Sequence, residues 1–219
     1  MKLYSAHGVN DFIICLGYLG HKIKEYFANY HILNSDLHVD TGTNNVETLQ
    51  SNAENWKITL IDTGQETMTG GRLRRIADYV DDDSFCFTYG DGLADIDLGK
   101  LIKFHNSHKQ VATVTAVVPP IRFGVLNVDG DLVVDFKEKP TGTSTLISGG
   151  FFVLDQKVFD YIEGDQTIWE QKPIERLCQE RKLASFRHDG FWHPMDTLRD
   201  RNFLEDLWRT GKAPWQVWK

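Results

Sequence analysis

Short apolar runs separated by amphipathic stretches set the tightest limit on how this chain can fold. Phe12–Leu16 (FIICL) suits a strand buried on both faces in a parallel sheet, VATVTAVV reads as another buried strand, and WKITLID carries a β-pattern. The longest charge-free apolar stretches, Phe12 to Gly20 and Val111 to Ile121, fall well short of the ~20 residues a membrane-spanning helix needs. Helical patterns lie between the runs. Ile23, Tyr26, Phe27 and Tyr30 recur on one face, with Lys22, Lys24 and Glu25 on the other. TGGRLRRIADYV is predicted to open a helix at Thr69, and another runs from Leu98 to about His108. This β-α alternation predicts an α/β chain with a mostly parallel, Rossmann-like sheet covered by helices.

The remaining segments are less regular. Residues 31–55 are polar, with short alternating runs that predict weak strands, and SFCFTYGDG reads as a strand ending in a turn. FGVLNVDGDLVVDFKEK predicts a hairpin turning at Asp129 to Asp131, and TLISGGFFVLD a further strand. Helices are expected at Gln156 to Ile162, Trp169 to Arg181 and Thr197 to Thr210, the last closed by Gly211 and Pro214. No Pro/Gly/Ser-rich linker divides the chain, so residues 1–219 are expected to form a single domain with a β-rich second lobe.

With 24 Lys and Arg against 31 Asp and Glu, the net charge is −7 and no basic run stands out. Nucleic acid and membrane surfaces are therefore not expected partners, and any phosphate ligand must be held by a local site. Cys15, Cys86 and Cys178 are odd in number and far apart, which predicts free thiols in a reducing compartment, the cytoplasm. His7, Asn10 and Asp11 interrupt the opening apolar region and no small-residue cleavage site follows, so residue 1 onward is read as mature chain rather than as a signal peptide.

In open α/β sheets ligands lie beyond the carboxyl ends of strands. Asp91, in the Gly-flanked turn of FTYGDG, is suited to a Mg²⁺ that shares substrate phosphates, or simply to closing that turn. Asp196, in FWHPMDTLRD, is a second oxygen donor or the N-cap of the last helix. Arg72 in TGGR can meet an anion together with helix N–H groups, or belong to a solvated face. Lys139 beside Glu138 in FKEKP is a phosphate contact or a surface ion pair. His105 and His108 share a helix face without a third ligand, which argues against metal there.

Taken in order, MTGGRL, FTYGDG, PPIRFG, FKEKP, SGGFFVL, WEQKP, FWHPMDTLRD and GKAPW resemble the glucose-1-phosphate cytidylyltransferases of the nucleotidyl-sugar transferase superfamily, and the resemblance runs from residue 1 to residue 219. It implies transfer of a cytidylyl group from CTP to glucose 1-phosphate, giving CDP-glucose and pyrophosphate for dideoxysugar and surface polysaccharide synthesis. The implied Mg²⁺ ligands are Asp91 and Asp196, the nucleotide contacts Thr67, Arg72 and Gly90, and the sugar-phosphate contacts Glu138, Lys139, Ser148 and Gly149. Asp91 and Lys139 are the implied catalytic residues. Ser148 stands where the family has Asn.

The resemblance also implies a homo-oligomer, with PPIRFG and the Trp-rich tail against other subunits. The family opens with a strand, a GxGTRL loop and a PKP segment that do not occur in this sequence. The chain is therefore expected to be N-terminally incomplete relative to the family, lacking its first strand, and its competence as written to depend on those segments. Two alternatives stay open. One is a catalytically inactive relative serving as a binding or partner subunit. The other is a metal-dependent glycosyltransferase using Asp95 and Asp97 of ADID.

Overall fold

The computed structural model describes residues 1–120, 125–137 and 145–218. These form two compact units, Leu3–Asp81 with Phe159–Arg176, and Asp82–Val158 with Leu177–Lys219.

The first unit begins with the short helix α1 (Lys2–Ser5) and the strand β1 (Asp11–Leu16). Helices α2 (Gly20–Ala28) and α3 (Tyr30–Leu33) follow, divided at Asn29, so the expected single helix is broken before Tyr30. Tyr30 nonetheless packs on Tyr26, Phe27 and Trp56, with ring centroids 5.5 to 5.9 Å apart. Strands β2 (Ser35–Asp40) and β3 (Asn45–Ser51) make the polar excursion an exposed antiparallel hairpin.

Strand β4 (Lys57–Asp62) pairs parallel with β1, from Asp11↔Lys57 to Leu16↔Asp62. The ladder is closed at its carboxyl end by Thr63, whose N–H and hydroxyl both donate to the Leu16 carbonyl, at 2.9 and 2.8 Å. Helix α4 (Thr69–Arg75) starts where the glycines predict, but for a packing reason. A Cβ on Gly71 would stand 2.3 Å from the Asp165 carbonyl oxygen, and one on Gly70 2.8 Å from that of Thr167. The absence of side chains is what lets the 164–169 loop lie on the helix N-terminus.

In the second unit, β5 (Ser84–Thr88) and β6 (Gly92–Ala94) precede α5 (Leu98–Ser107) and β7 (Ala112–Val117). The predicted hairpin is β8 (Val125–Asp129) with β9 (Leu132–Lys137), turning at Gly130. Next along the chain come β10 (Ile147–Asp155), α6 (Lys172–Gln179), β11 (Leu183–His188), β12 (Trp192–Pro194) and α7 (Leu198–Arg209).

The main sheet has the order β11-β7-β10-β5. β11 pairs parallel with β7, while β10 inserts antiparallel to both of its neighbours. α5 packs on this sheet through Leu98, Leu101 and His105, one face at helical spacing. Trp169 in the first unit and Leu154, Val158 and Leu177 in the second are fully enclosed. No described helix is long and apolar enough to cross a membrane.

Candidate active site

The second unit holds five of the sequence-selected residues, Gly90, Asp91, Ser148, Gly149 and Asp196, two of which leave one end of a short ladder. β6 and β12 pair antiparallel, Gly92 opposite Pro194 and Ala94 opposite Trp192. The ladder continues one step further, because the Met195 N–H donates to the Asp91 carbonyl at 2.8 Å. Asp91 and Asp196, 105 residues apart in sequence, therefore leave the same ladder end in neighbouring registers.

Both side chains are exposed, and among the described residues neither carboxylate is engaged in a hydrogen bond or ion pair. The local alternatives for both are thereby answered. The N-cap of α7 is Thr197, whose hydroxyl accepts from the Asp200 N–H, so Asp196 lies one residue outside the helix with its oxygens uncommitted. Asp91 does not close its turn, since the turn is held by backbone pairing instead.

Ser148 and Gly149 enter from β10, where the register with β7 shifts between Ser148 and Phe152. The bulge bends the strand and turns backbone groups out of the ladder. Gly150 takes the left-handed φ of 76° there, and its N–H is received by the Ser148 hydroxyl at 3.3 Å. Gly149 is buried: a Cβ would meet Val117 Cγ1 at 2.9 Å. Its carbonyl accepts from the Trp192 indole N–H at 2.8 Å. Gly92 faces the same carbonyl and indole, both 3.8 Å from where its Cβ would lie. Gly90 has open space around its α-carbon, in keeping with close approach of a ligand.

Thr67 and Arg72 belong to the first unit. Thr67 is buried beside the turn at Gly64. Arg72 is a brace for the end of β1. Its Nη1 donates to the Leu16 carbonyl at 3.0 Å and to the Thr63 hydroxyl at 2.8 Å, and Nη2 donates to the Gln65 carbonyl at 3.2 Å. The expected convergence of helix N–H groups with Arg72 on an anion is corrected at one point. Gly71 N–H is already spent on the Thr167 carbonyl at 3.2 Å, because the glycines admit that loop. Arg75 forms an ion pair with Asp165. Glu138 and Lys139 lie outside the described residues.

Of the ADID carboxylates, one has other work and one lies beside a histidine. Asp97 caps α5 by accepting from Lys100 N–H at 2.9 Å, and Asp95 Oδ1 stands 3.0 Å from His188 Nε2. Among the described residues no group of three or more His, Cys, Asp or Glu is arranged to hold a metal. Sequence reasoning passed over Trp192 and the buried carboxylate of Asp200. The first shows no periodicity in so short a strand. The second carried a signal in the T-x-x-D spacing after Asp196, a capping-box pattern that also fixes the segment before it.

A family model described as nucleotidyl transferase matches residues 1–198. The chain is 53% identical to the glucose-1-phosphate cytidylyltransferase of Salmonella typhi, over 100% of this chain and 86% of that protein. It is 43% identical to the "Probable glucose-1-phosphate cytidylyltransferase" of Bacillus subtilis (strain 168), over 100% of this chain and 85% of that one. Among solved structures, HddC from Yersinia pseudotuberculosis shares the fold with a TM-score of 0.62 at 19% identity, covering 93% of this chain and 80% of that chain.

Proposed function

The chain belongs to the nucleotidyl transferase family, and from that premise we propose that it transfers the cytidylyl group of CTP to α-D-glucose 1-phosphate, forming CDP-glucose and pyrophosphate. The reading of the site rests on one observation: two exposed carboxylates, Asp91 and Asp196, leave the same ladder end in neighbouring registers with no partner among the described residues. A donor set made only of carboxylate oxygens, with room for water and phosphate, fits Mg²⁺ better than softer metals. When bound, Mg²⁺ neutralises triphosphate charge as pyrophosphate leaves.

The chain's own residues then have positional tasks. A sugar-phosphate oxygen attacks the α-phosphorus in line, forming one P–O bond as the bond to the β-phosphate bridge breaks, with no covalent enzyme intermediate. By resemblance, Lys139 holds the attacking phosphate and Glu138 the sugar hydroxyls, while Gly149 and the Ser148 hydroxyl border the sugar. Gly90 and Thr67 border the nucleotide. Arg72 keeps Nε–H and one Nη2–H uncommitted among the described residues, enough for an anion contact beside its bracing role.

The same proposal takes residues 1–219 as one domain, supported by a family model that matches residues 1–198, in both units. It places the protein in the cytoplasm, in keeping with its free cysteines. It also includes a homo-oligomer, for which the half-exposed Trp208 ring against Trp218 offers an aromatic surface. The glycosyltransferase reading is not favoured, because Asp97 is spent on a cap and Asp95 faces a histidine.

The test is CDP-glucose formation from CTP, glucose 1-phosphate and Mg²⁺, read together with Mn²⁺ binding by the chain. Asp91→Asn and Asp196→Asn are each expected to cut turnover by about 100-fold or more and to weaken Mn²⁺ binding, with unchanged circular dichroism. Parental turnover and Mn²⁺ affinity in either variant would remove that aspartate from the site.

A further inference from the structure

Asp200 is the only acidic side chain buried among the described residues, at 5% exposure. A carboxylate in such a position costs free energy unless its oxygens are well supplied with donors. Here they are. Oδ2 accepts from the Thr197 N–H at 3.1 Å and from the Thr197 hydroxyl at 2.7 Å, and Oδ1 accepts from His193 Nε2 at 3.2 Å. The Thr197 hydroxyl accepts in return from the Asp200 N–H at 3.2 Å, so its single proton is the one given to Oδ2.

A helix cap needs only the Thr197 half of this arrangement. The His193 half reaches out of the helix into β12, where His193 pairs with Leu93 of β6 and its ring lies 4.9 Å from that of Phe203. Asp200 therefore ties the first turn of α7 to the strand that leads into Asp196. The residue before Asp196 is fixed as well, Met195 N–H donating to the Asp91 carbonyl at 2.8 Å. Both neighbours of Asp196 are locked while its own carboxylate stays uncommitted among the described residues. This is the arrangement expected of a ligand oxygen held ready by surrounding hydrogen bonds.

We propose that Asp200, acting through Thr197 and His193, is a positioning residue that sets Asp196 for a divalent cation. The inference rests on the reading of Asp196 as a metal contact. Asparagine at 200 would offer one acceptor oxygen and present an amide to groups that are themselves donors, so charge and geometry are both needed.

The experiment measures Mn²⁺ binding by electron paramagnetic resonance, with and without CTP, alongside thermal unfolding and steady-state kinetics. Asp200→Asn is expected to weaken Mn²⁺ binding by about 10- to 100-fold and to lower kcat with little change in KM for glucose 1-phosphate. Asp200→Glu keeps the charge and the usual capping-box chemistry while lengthening the arm by one methylene, so it should fold as the parent does and lose Mn²⁺ affinity by about 10-fold. Leu204→Ala, which loosens the same helix without altering the hydrogen bonds of the Asp200 carboxylate to Thr197 and His193, should lower Tm and leave Mn²⁺ affinity as it was.

Parental Mn²⁺ affinity in both Asp200 variants, with Asp196→Asn impaired, would overturn the positioning role and leave the metal reading standing. An affinity loss in Leu204→Ala equal to that in Asp200→Asn would overturn it too, as a mere effect of helix stability. Undiminished Mn²⁺ binding by Asp196→Asn would end the metal reading, and the role of Asp200 with it.

Discussion

Replacing Thr113 by valine isolates one buried polar network. Thr113 is fully enclosed, and its hydroxyl bridges His105 Nδ1 at 2.9 Å and His108 Nε2 at 3.0 Å. The Gln110 N–H points at His108 Nδ1 from 3.1 Å, which makes Nδ1 an acceptor and puts the proton of the neutral ring on Nε2. His108 then donates to Thr113, and Thr113 donates to His105. Valine keeps the shape and removes both bonds.

The orphaned Nδ1 of the buried His105 costs about 1–3 kcal/mol, and His108, only part-buried, recovers some of its own loss from water. The expected destabilisation is about 2 kcal/mol. For a chain of 219 residues that corresponds to a fall in Tm of about 4–8 °C. Thr113→Ser keeps the hydroxyl and loses one methyl, for about 1 kcal/mol. Urea unfolding at pH 7.5 separates the two variants. A valine variant at least as stable as the serine variant would refute the assignment of the network.

Acid stability should depend on the same pair. Burial, and then the charge of His108, lowers the His105 pKa against an opposing pull from Asp155, while burial also lowers that of His108. The face α5 turns to the sheet meets no titratable group on β7, Asp155 at the end of β10, and Phe186 on β11. With both folded pKa values below the unfolded value of ~6.5, the unfolded chain binds more protons as pH falls. The pair's contribution is then fully present above about pH 6.5 and is lost toward lower pH, by at most about 1.4 kcal/mol per pH unit per histidine.

Gly71→Ala should cost about 3 kcal/mol, because its Cβ would meet backbone atoms of Asp165 at 2.3 to 2.7 Å, whereas Gly164→Ala, with open space around it, should be near neutral in thermal unfolding. Burial pushes the thiols of Cys15 and Cys86 up to about 11, so a disulfide-exchange reagent at pH 8 should label the exposed Cys178 in the native chain and all three cysteines after denaturation.

Periodicity is written into consecutive residues, and the elements that depend on it were legible. Phe12–Leu16 reads as a strand and is β1, although only Leu16 of it is buried; Leu98, Leu101 and His105 mark a buried helix face. β11 was passed over, since LASFRH is a short edge strand with no turn signal before it. Ile23 and Tyr26 recur on one face at helical spacing, yet remain 39% and 49% exposed.

Asp91 and Asp196 could be selected as a pair from sequence, through motifs that resemble a known family, but not placed. Their neighbouring registers depend on β12 returning beside β6, a pairing across about 100 residues. What only the tertiary structure decided is which polar groups are already consumed. Arg72 is spent in part on the Leu16 carbonyl, Gly71 N–H on Thr167, Asp97 on a cap, and Thr197 rather than Asp196 closes α7. A residue's identity states how many hydrogen bonds it can make, while the count left over for a ligand is set by partners that long-range packing brings within about 3 Å.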